Sequence, residues 1–263
     1  MILLLVPLVG LAVSFVSVFL GLGGGILLVP LLPLLFGLDL HSSVATTVFT
    51  ISLVVLENTY RFQKKQWVSW PVVIWMAPAA ALASFSAARL SAHLDERILL
   101  ILLLILMGAI GLRTLLFAFF APGYEPQQLT LSKRILLVLG GGVAGLTSGL
   151  VGVGSGVIQG PMMIYLKVVK PVQLTPTSNA NMVFTTLFAS FGFLWGAEMV
   201  SWNQFGLIRW DVSLGIFTFA SLFSHFLRPW QNHLPFRVKS LLLGLVLLAL
   251  NVRVCFQLNL FSL

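Results

Sequence analysis

Apolar runs near 42–58, 68–90, 98–121, 174–195, 210–227 and 238–263, with two longer runs at 2–36 and 135–166, take up nearly all of this 263-residue chain. Most exceed the roughly 20 residues needed to cross about 30 Å of hydrocarbon. With 59% hydrophobic and 8% charged residues, the chain carries more apolar surface than a soluble core of this size can hide. The sequence specifies an all-α, polytopic integral membrane protein: a single transmembrane domain over 1–263, with no stretch left for a soluble one.

Charge and cysteine content fit that setting. The formal net charge is +8, but the 15 Lys and Arg sit mainly in short connections between apolar runs, where they orient helices. Basicity here reads as topology and not as a nucleic-acid partner. The single cysteine, Cys255, excludes an intramolecular disulfide. No Lys or Arg precedes the first apolar stretch, MILLLVPLVG, so the expectation is that this segment is not a cleaved signal.

Both long runs are broken in the same way. Gly21, Gly23, Gly24, Gly25 and Pro30 stand in the same order and spacing as Gly152, Gly154, Ser155, Gly156 and Pro161. The register continues without a gap to Thr46 and Thr47, which fall on Thr177 and Ser178. Further on Trp70 meets Trp210, Leu94 meets Leu234, Arg97 meets Arg237 and Arg113 meets Arg253, with extra residues inserted between, around Trp195 to Gly206. The chain reads as two repeats, about 1–121 and about 132–263. Such duplication is a common build of secondary transporters, whose halves meet around a site near the bilayer midplane.

Loop charges choose between arrangements of the halves. If each apolar run crosses once, Lys and Arg divide almost evenly between the two sides. If each broken run is instead a hairpin that enters and leaves on one face, Arg61, Lys64, Lys65, Arg113, Lys133, Arg134, Lys167, Lys170, Arg228, Arg237 and Lys239 share one side. Only Arg89, Arg97, Arg209 and Arg253 lie on the other. The positive-inside rule favours the second arrangement: two inverted repeats, each a broken-helix hairpin plus three transmembrane helices, with both termini outside.

Glycine admits backbone conformations closed to other residues, and proline cannot sit inside a regular helix without disturbing it. Unwound backbone at membrane depth is tolerated only where it packs in protein or lines a wet cavity. Helices restarting after Gly25 and Gly156 would direct free N–H groups and partial positive charge there, an arrangement suited to small anions. The candidate substrate-binding residues are Gly23, Gly24, Gly25, Thr46, Thr47, Gly154, Ser155, Gly156, Thr177, Ser178 and Asn179, with Pro30 and Pro161 as helix breaks. Asn179 and Asn181 make the second half more polar than the first.

The paired G-x-G-G-G-x-x-x-x-P and G-x-G-S-G-x-x-x-x-P segments, each followed by a Thr-Thr or Thr-Ser pair, resemble the TauE/SafE sulfite exporter family. The resemblance covers essentially the whole chain. It implies a permease of the cytoplasmic membrane for sulfite, thiosulfate, sulfoacetate or a related organosulfur anion. Its partners would be a small anionic substrate and the lipid bilayer, with no cofactor beyond a coupling ion, proton or sodium; monomer and homodimer both remain open.

Charged residues inside the apolar runs are few. Arg113 and its repeat mate Arg253, and Glu57 beside Arg61, are candidate gating or charge sites, against snorkelling and interfacial pairing. No enzyme constellation appears: His41, His93, His225 and His233 are scattered without metal spacing, and Gly21 to Gly25 lacks the βαβ context of a dinucleotide fingerprint. Two other functions fit the composition, a passive anion channel and a membrane-embedded accessory subunit without flux of its own.

Overall fold

The computed structural model describes residues 2–20, 24–117, 125–227 and 236–257. Gly21, Gly23, Arg228, His233 and Leu234 fall outside them. The first half holds α1 (Ile2–Leu20), α2 (Gly25–Phe36), α3 (Leu40–Lys64), α4 (Trp70–Ser91) and α5 (Glu96–Phe117). The second holds α6 (Leu131–Val151), α7 (Gly156–Leu166), α8 (Leu174–Leu194), α9 (Trp210–Leu227) and α10 (Phe236–Gln257). A short antiparallel hairpin, β1 (Met199–Ser201) and β2 (Gln204–Phe205), lies between α8 and α9. It occupies the stretch where the repeat register predicts the insertion.

Local signals set the helix limits. Asp39 caps α3 by accepting the Ser42 N–H at 2.9 Å, and Gly37 ends α2 in the left-handed region at φ 65°. At 12 and 11 residues, α2 and α7 rise only about 18 Å and cannot cross the hydrocarbon alone. Each folds back on the helix before it. Leu28 and Leu32 of α2 cluster with Val9 and Val13 of α1. On the other side, Met162 of α7 packs against Gly140 of α6. The two broken runs are hairpins.

Five helices, α3, α4, α5, α6 and α9, are long and apolar enough to span a membrane. The sequence also leads one to expect α8 among them. It has the length, 21 residues, but carries Thr177, Ser178, Asn179, Asn181, Thr185 and Thr186, all buried. Those side chains face other helices, so the first part of α8 is packed inside the protein, while Leu187, Phe188 and Phe191 nearer its end stay exposed.

Packing exchanges elements between the halves. Gly141 of α6 lies against the Met76 carbonyl of α4, and Gly145 and Gly149 continue the line against Ala80 and Ser84. Residue numbers rise together on both helices, so α4 and α6 run parallel. This small-residue stripe brings two backbones together, which lipid-embedded helices achieve only where side chains are absent. Gly10 of α1 lies likewise against Ile216 and Ala220 of α9. Pairs of equivalent helices run the other way. Gly108 faces Asn251 and Gly111 faces Leu248, so α5 and α10 are antiparallel. Asn58, near the end of α3, reaches Asn179, near the start of α8, so these two are antiparallel as well.

Candidate functional site

The site grows from the two helix breaks. Gly24 sits at φ 82°, in the left-handed region, and α2 begins at the next residue. In the second half Gly152 and Gly154 take φ 72° and 87°, and α7 begins at Gly156. A β-carbon on Gly25 would strike Ile51 and lie 2.9 Å from the Gly152 carbonyl oxygen and 3.0 Å from that of Val153. The first break therefore rests directly on the second, beside the middle of α3. Only glycine permits this approach. Gly24, Gly25, Gly154, Ser155 and Gly156 are all buried, as is Pro30, while Pro161 is half-buried. Pro30 also lines a cavity of about 380 Å³ with Pro33, Asp39, Glu96 and Arg97, at the C-terminal end of α2.

The hydroxyl pairs divide into two kinds. Thr46 Oγ1 accepts the backbone N–H of Arg209 at 3.0 Å, and its repeat mate Thr177 accepts that of Ser69, also at 3.0 Å. Ser69 and Arg209 are the residues that lead into α4 and α9. Each threonine thus grips the start of a helix in the opposite half. The neighbouring Thr47 and Ser178 are buried, and neither hydroxyl oxygen has a partner.

The carboxamides tie the centre together. Asn58 Nδ2 donates to Ser17 Oγ at 2.9 Å and to Asn179 Oδ1 at 3.4 Å, joining α1, α3 and α8. Asn179 Nδ2 in turn donates to the Thr175 carbonyl at 2.9 Å. Ser155, just before α7, hydrogen-bonds Thr185 of α8 at 2.8 Å. Buried polar groups without partners are rare because each carries a desolvation penalty. Here they fall on α3 (His41, Ser43, Thr47 and Thr59) and on α8 (Ser178, Asn181 and Ser190), with Ser14, Ser148 and Gln159 on the helices around them; among the described residues only Gln159 and Asn181 leave a whole carboxamide unpartnered.

The charged candidates lie elsewhere. Glu57 pairs with Arg61 one turn on in α3. Arg113 is half-buried in the last turns of α5, and Arg253 is exposed near the end of α10. Those two belong to the α5–α10 pair and not to the helices that flank the breaks. Arg209 pairs with Asp211 at 2.8 Å, and this carboxylate hydrogen bond strengthens the hold on its proton. Among the described residues no cluster of His, Cys, Asp or Glu could hold a metal ion.

A sequence model described as "Sulfite exporter TauE/SafE" matches residues 6–254, all but the ends of the chain. The protein belongs to the TauE/SafE family. Among named relatives of this TauE/SafE chain, a "Probable membrane transporter protein" of Haemophilus influenzae is 26% identical over 256 residues, covering 94% of this chain and 93% of its own. A protein of the same name from Xylella fastidiosa is 26% identical over 203 residues, covering 77% and 74%. No solved structure matches. TauE/SafE membership and these relatives make the protein a multi-pass membrane transporter, and the cytoplasmic membrane is the family's usual location.

The sequence singled out most of what the structure gathers here. It missed Gln159, which is fully buried one turn into α7. Its signal was a lone carboxamide inside an apolar run, opposite Leu28 in the first repeat.

Proposed function

We propose that this transporter moves a small sulfur-containing oxyanion, of the sulfite, thiosulfate or sulfoacetate class, by alternating access around the two apposed helix breaks. The contact of Gly25 with the Gly152 and Val153 carbonyls carries the reading, since it sets two helix N-termini close together at the middle of the fold. Each N-terminus bears about half a positive charge, so an anion between them is attracted without a fixed cation. Gly24, Gly25, Gly154, Ser155 and Gly156 supply backbone, and Thr47, Ser178 and Asn179 supply neutral polar groups beside it. Thr46 and Thr177 act as joints between the halves.

The halves are inverted repeats in this reading. Antiparallel packing of α3 on α8 and of α5 on α10 supports it, because a two-fold axis in the membrane plane reverses each helix against its mate. Direct contact between the buried breaks favours a carrier over an open pore, since passage requires them to part. The sulfur chemistry rests on the family's description.

Purified protein in liposomes, given labelled sulfite, thiosulfate and sulfoacetate, should show saturable uptake of at least one of them, with counterflow. Absence of flux for all three overturns the substrate class. Conductance far above carrier turnover overturns the alternating-access mechanism.

A further inference from the structure

The geometry points to a ligand site between α7 and α8 in which the carboxamides of Gln159 and Asn181 hold the oxyanion. The inference rests on the transport reading above and assigns its substrate to one half of the molecule.

Helices α7 and α8 are joined by a short connection and run antiparallel, and the Ser155–Thr185 hydrogen bond fixes their register. Gln159 is one turn beyond Ser155 on α7, and Asn181 is one turn before Thr185 on α8, so the two stand at the same level on facing surfaces. Gln159 is 0% exposed and Asn181 is 1% exposed. None of the four amide nitrogen and oxygen atoms has a hydrogen-bond partner, nor does Ser178, one turn further along the same face of α8.

Each carboxamide carries both a donor and an acceptor, so the two could satisfy one another. They do not. Side chains in a helix lean toward its N-terminus, which directs Gln159 toward Gly156 and the start of α7. By the same rule Asn181 leans toward Ser178, so the two unused NH₂ groups, with the break on one side and the Ser178 hydroxyl on the other, line one stretch of the α7–α8 seam as hydrogen-bond donors, a pattern that suits several oxygens on one anion. Neutral donors hold an anion and still release it, whereas a buried guanidinium would bind it through a bidentate ionic pair.

The first half lacks the two carboxamides. The equivalents of Gln159, Asn181 and Thr185 are Leu28, Thr50 and Val54, and the Thr50 hydroxyl is spent on the Thr46 carbonyl. The duplicated fold therefore has a carboxamide pair in one half only, while the hydroxyl mate of Ser178, Thr47, is kept in the other.

The test replaces each amide with its counterpart, Gln159→Leu and Asn181→Thr, in the full-length protein purified in detergent. Thermal unfolding is followed with sulfite, thiosulfate, sulfoacetate, nitrate, acetate or chloride, and with sodium against choline. The expected result is stabilisation of the unmodified protein by a sulfur oxyanion. In both variants that response is lost, the half-saturating concentration rises about tenfold or more, and unfolding without anion is no earlier. Variants that unfold several degrees earlier but keep the anion response mark the amides as structural and overturn the site. A sodium response lost in the variants, with no anion response in the parent, assigns the amides to a cation and also overturns it. If only nitrate or acetate stabilises the parent, and the variants abolish that, the amide site stands and the sulfur class falls. If nothing stabilises the parent, both fall.

Discussion

Replacing Thr177 by valine removes one oxygen and keeps the branched shape of the side chain. That oxygen accepts the Ser69 N–H at 3.0 Å, where the chain turns into α4. Ser69 is half-buried, so water replaces the acceptor only in part. Against a range of about 1–3 kcal/mol for an orphaned buried donor, the loss here should be about 1–2 kcal/mol. For a chain of this size that lowers the midpoint of thermal unfolding by roughly 2–8 °C. Thr46→Val should do the same at Arg209, whose N–H lies at the same distance. The two bonds sit at opposite ends of the α3–α8 pair and share no partner, so the double variant should be additive within about 0.5 kcal/mol. Fluorescence-monitored unfolding in detergent measures the stability, and concentration-dependent uptake in liposomes measures function. Both single variants should unfold earlier while keeping their half-saturating substrate concentration. If Thr177→Val leaves unfolding unchanged and raises that concentration tenfold or more, the threonine is a substrate ligand and the argument for a joint between the halves fails.

Three further outcomes follow from the same geometry. Gly25→Val and Gly156→Val should reach the membrane but lose transport, because a side chain on Gly25 meets two backbone carbonyls that cannot rotate away; normal flux in both would reduce the breaks to packing. Exposed Lys64 and Lys170, changed singly to cysteine in a Cys255→Ser background, should react with an impermeant maleimide from the cytoplasmic side and Arg97→Cys from the other; labelling of 64 and 170 from opposite sides would overturn the inverted arrangement. Arg113→Gln should alter expression or maximal rate, and a large loss of affinity would move the site to the α5–α10 pair.

What the sequence made legible was whatever is encoded locally. Gly24 and Gly154 had to sit where the backbone turns left-handed, and proline at a fixed distance marked each broken run. The extra residues near Trp195 to Gly206 could be placed because the repeat register slips there. Contacts between distant segments left no such trace. A threonine that caps a helix in the other half looks, in sequence, like a threonine whose hydroxyl is left unpartnered, so Thr46 and Thr47 could not be told apart. Gln159 was hidden by its apolar neighbours, since its meaning depends on Asn181 across the interface. The Gly141, Gly145 and Gly149 stripe takes its meaning only from α4, the helix packed against it.

The exchange of elements between the halves has a consequence for how the protein is made. Helix α1 leaves the ribosome long before α9, the helix that covers Gly10. Until then Ser14 and Ser17, buried in the finished fold, have only lipid or early neighbours beside them. Helix α6 faces no such delay, because α4 is already in place when its glycine stripe emerges. Assembly of the second hairpin can therefore accompany synthesis, whereas docking of the first must await nearly the whole chain. Newly made protein would pass through a stage with α6 seated on α4 and the Gly10 face of α1 still open to lipid.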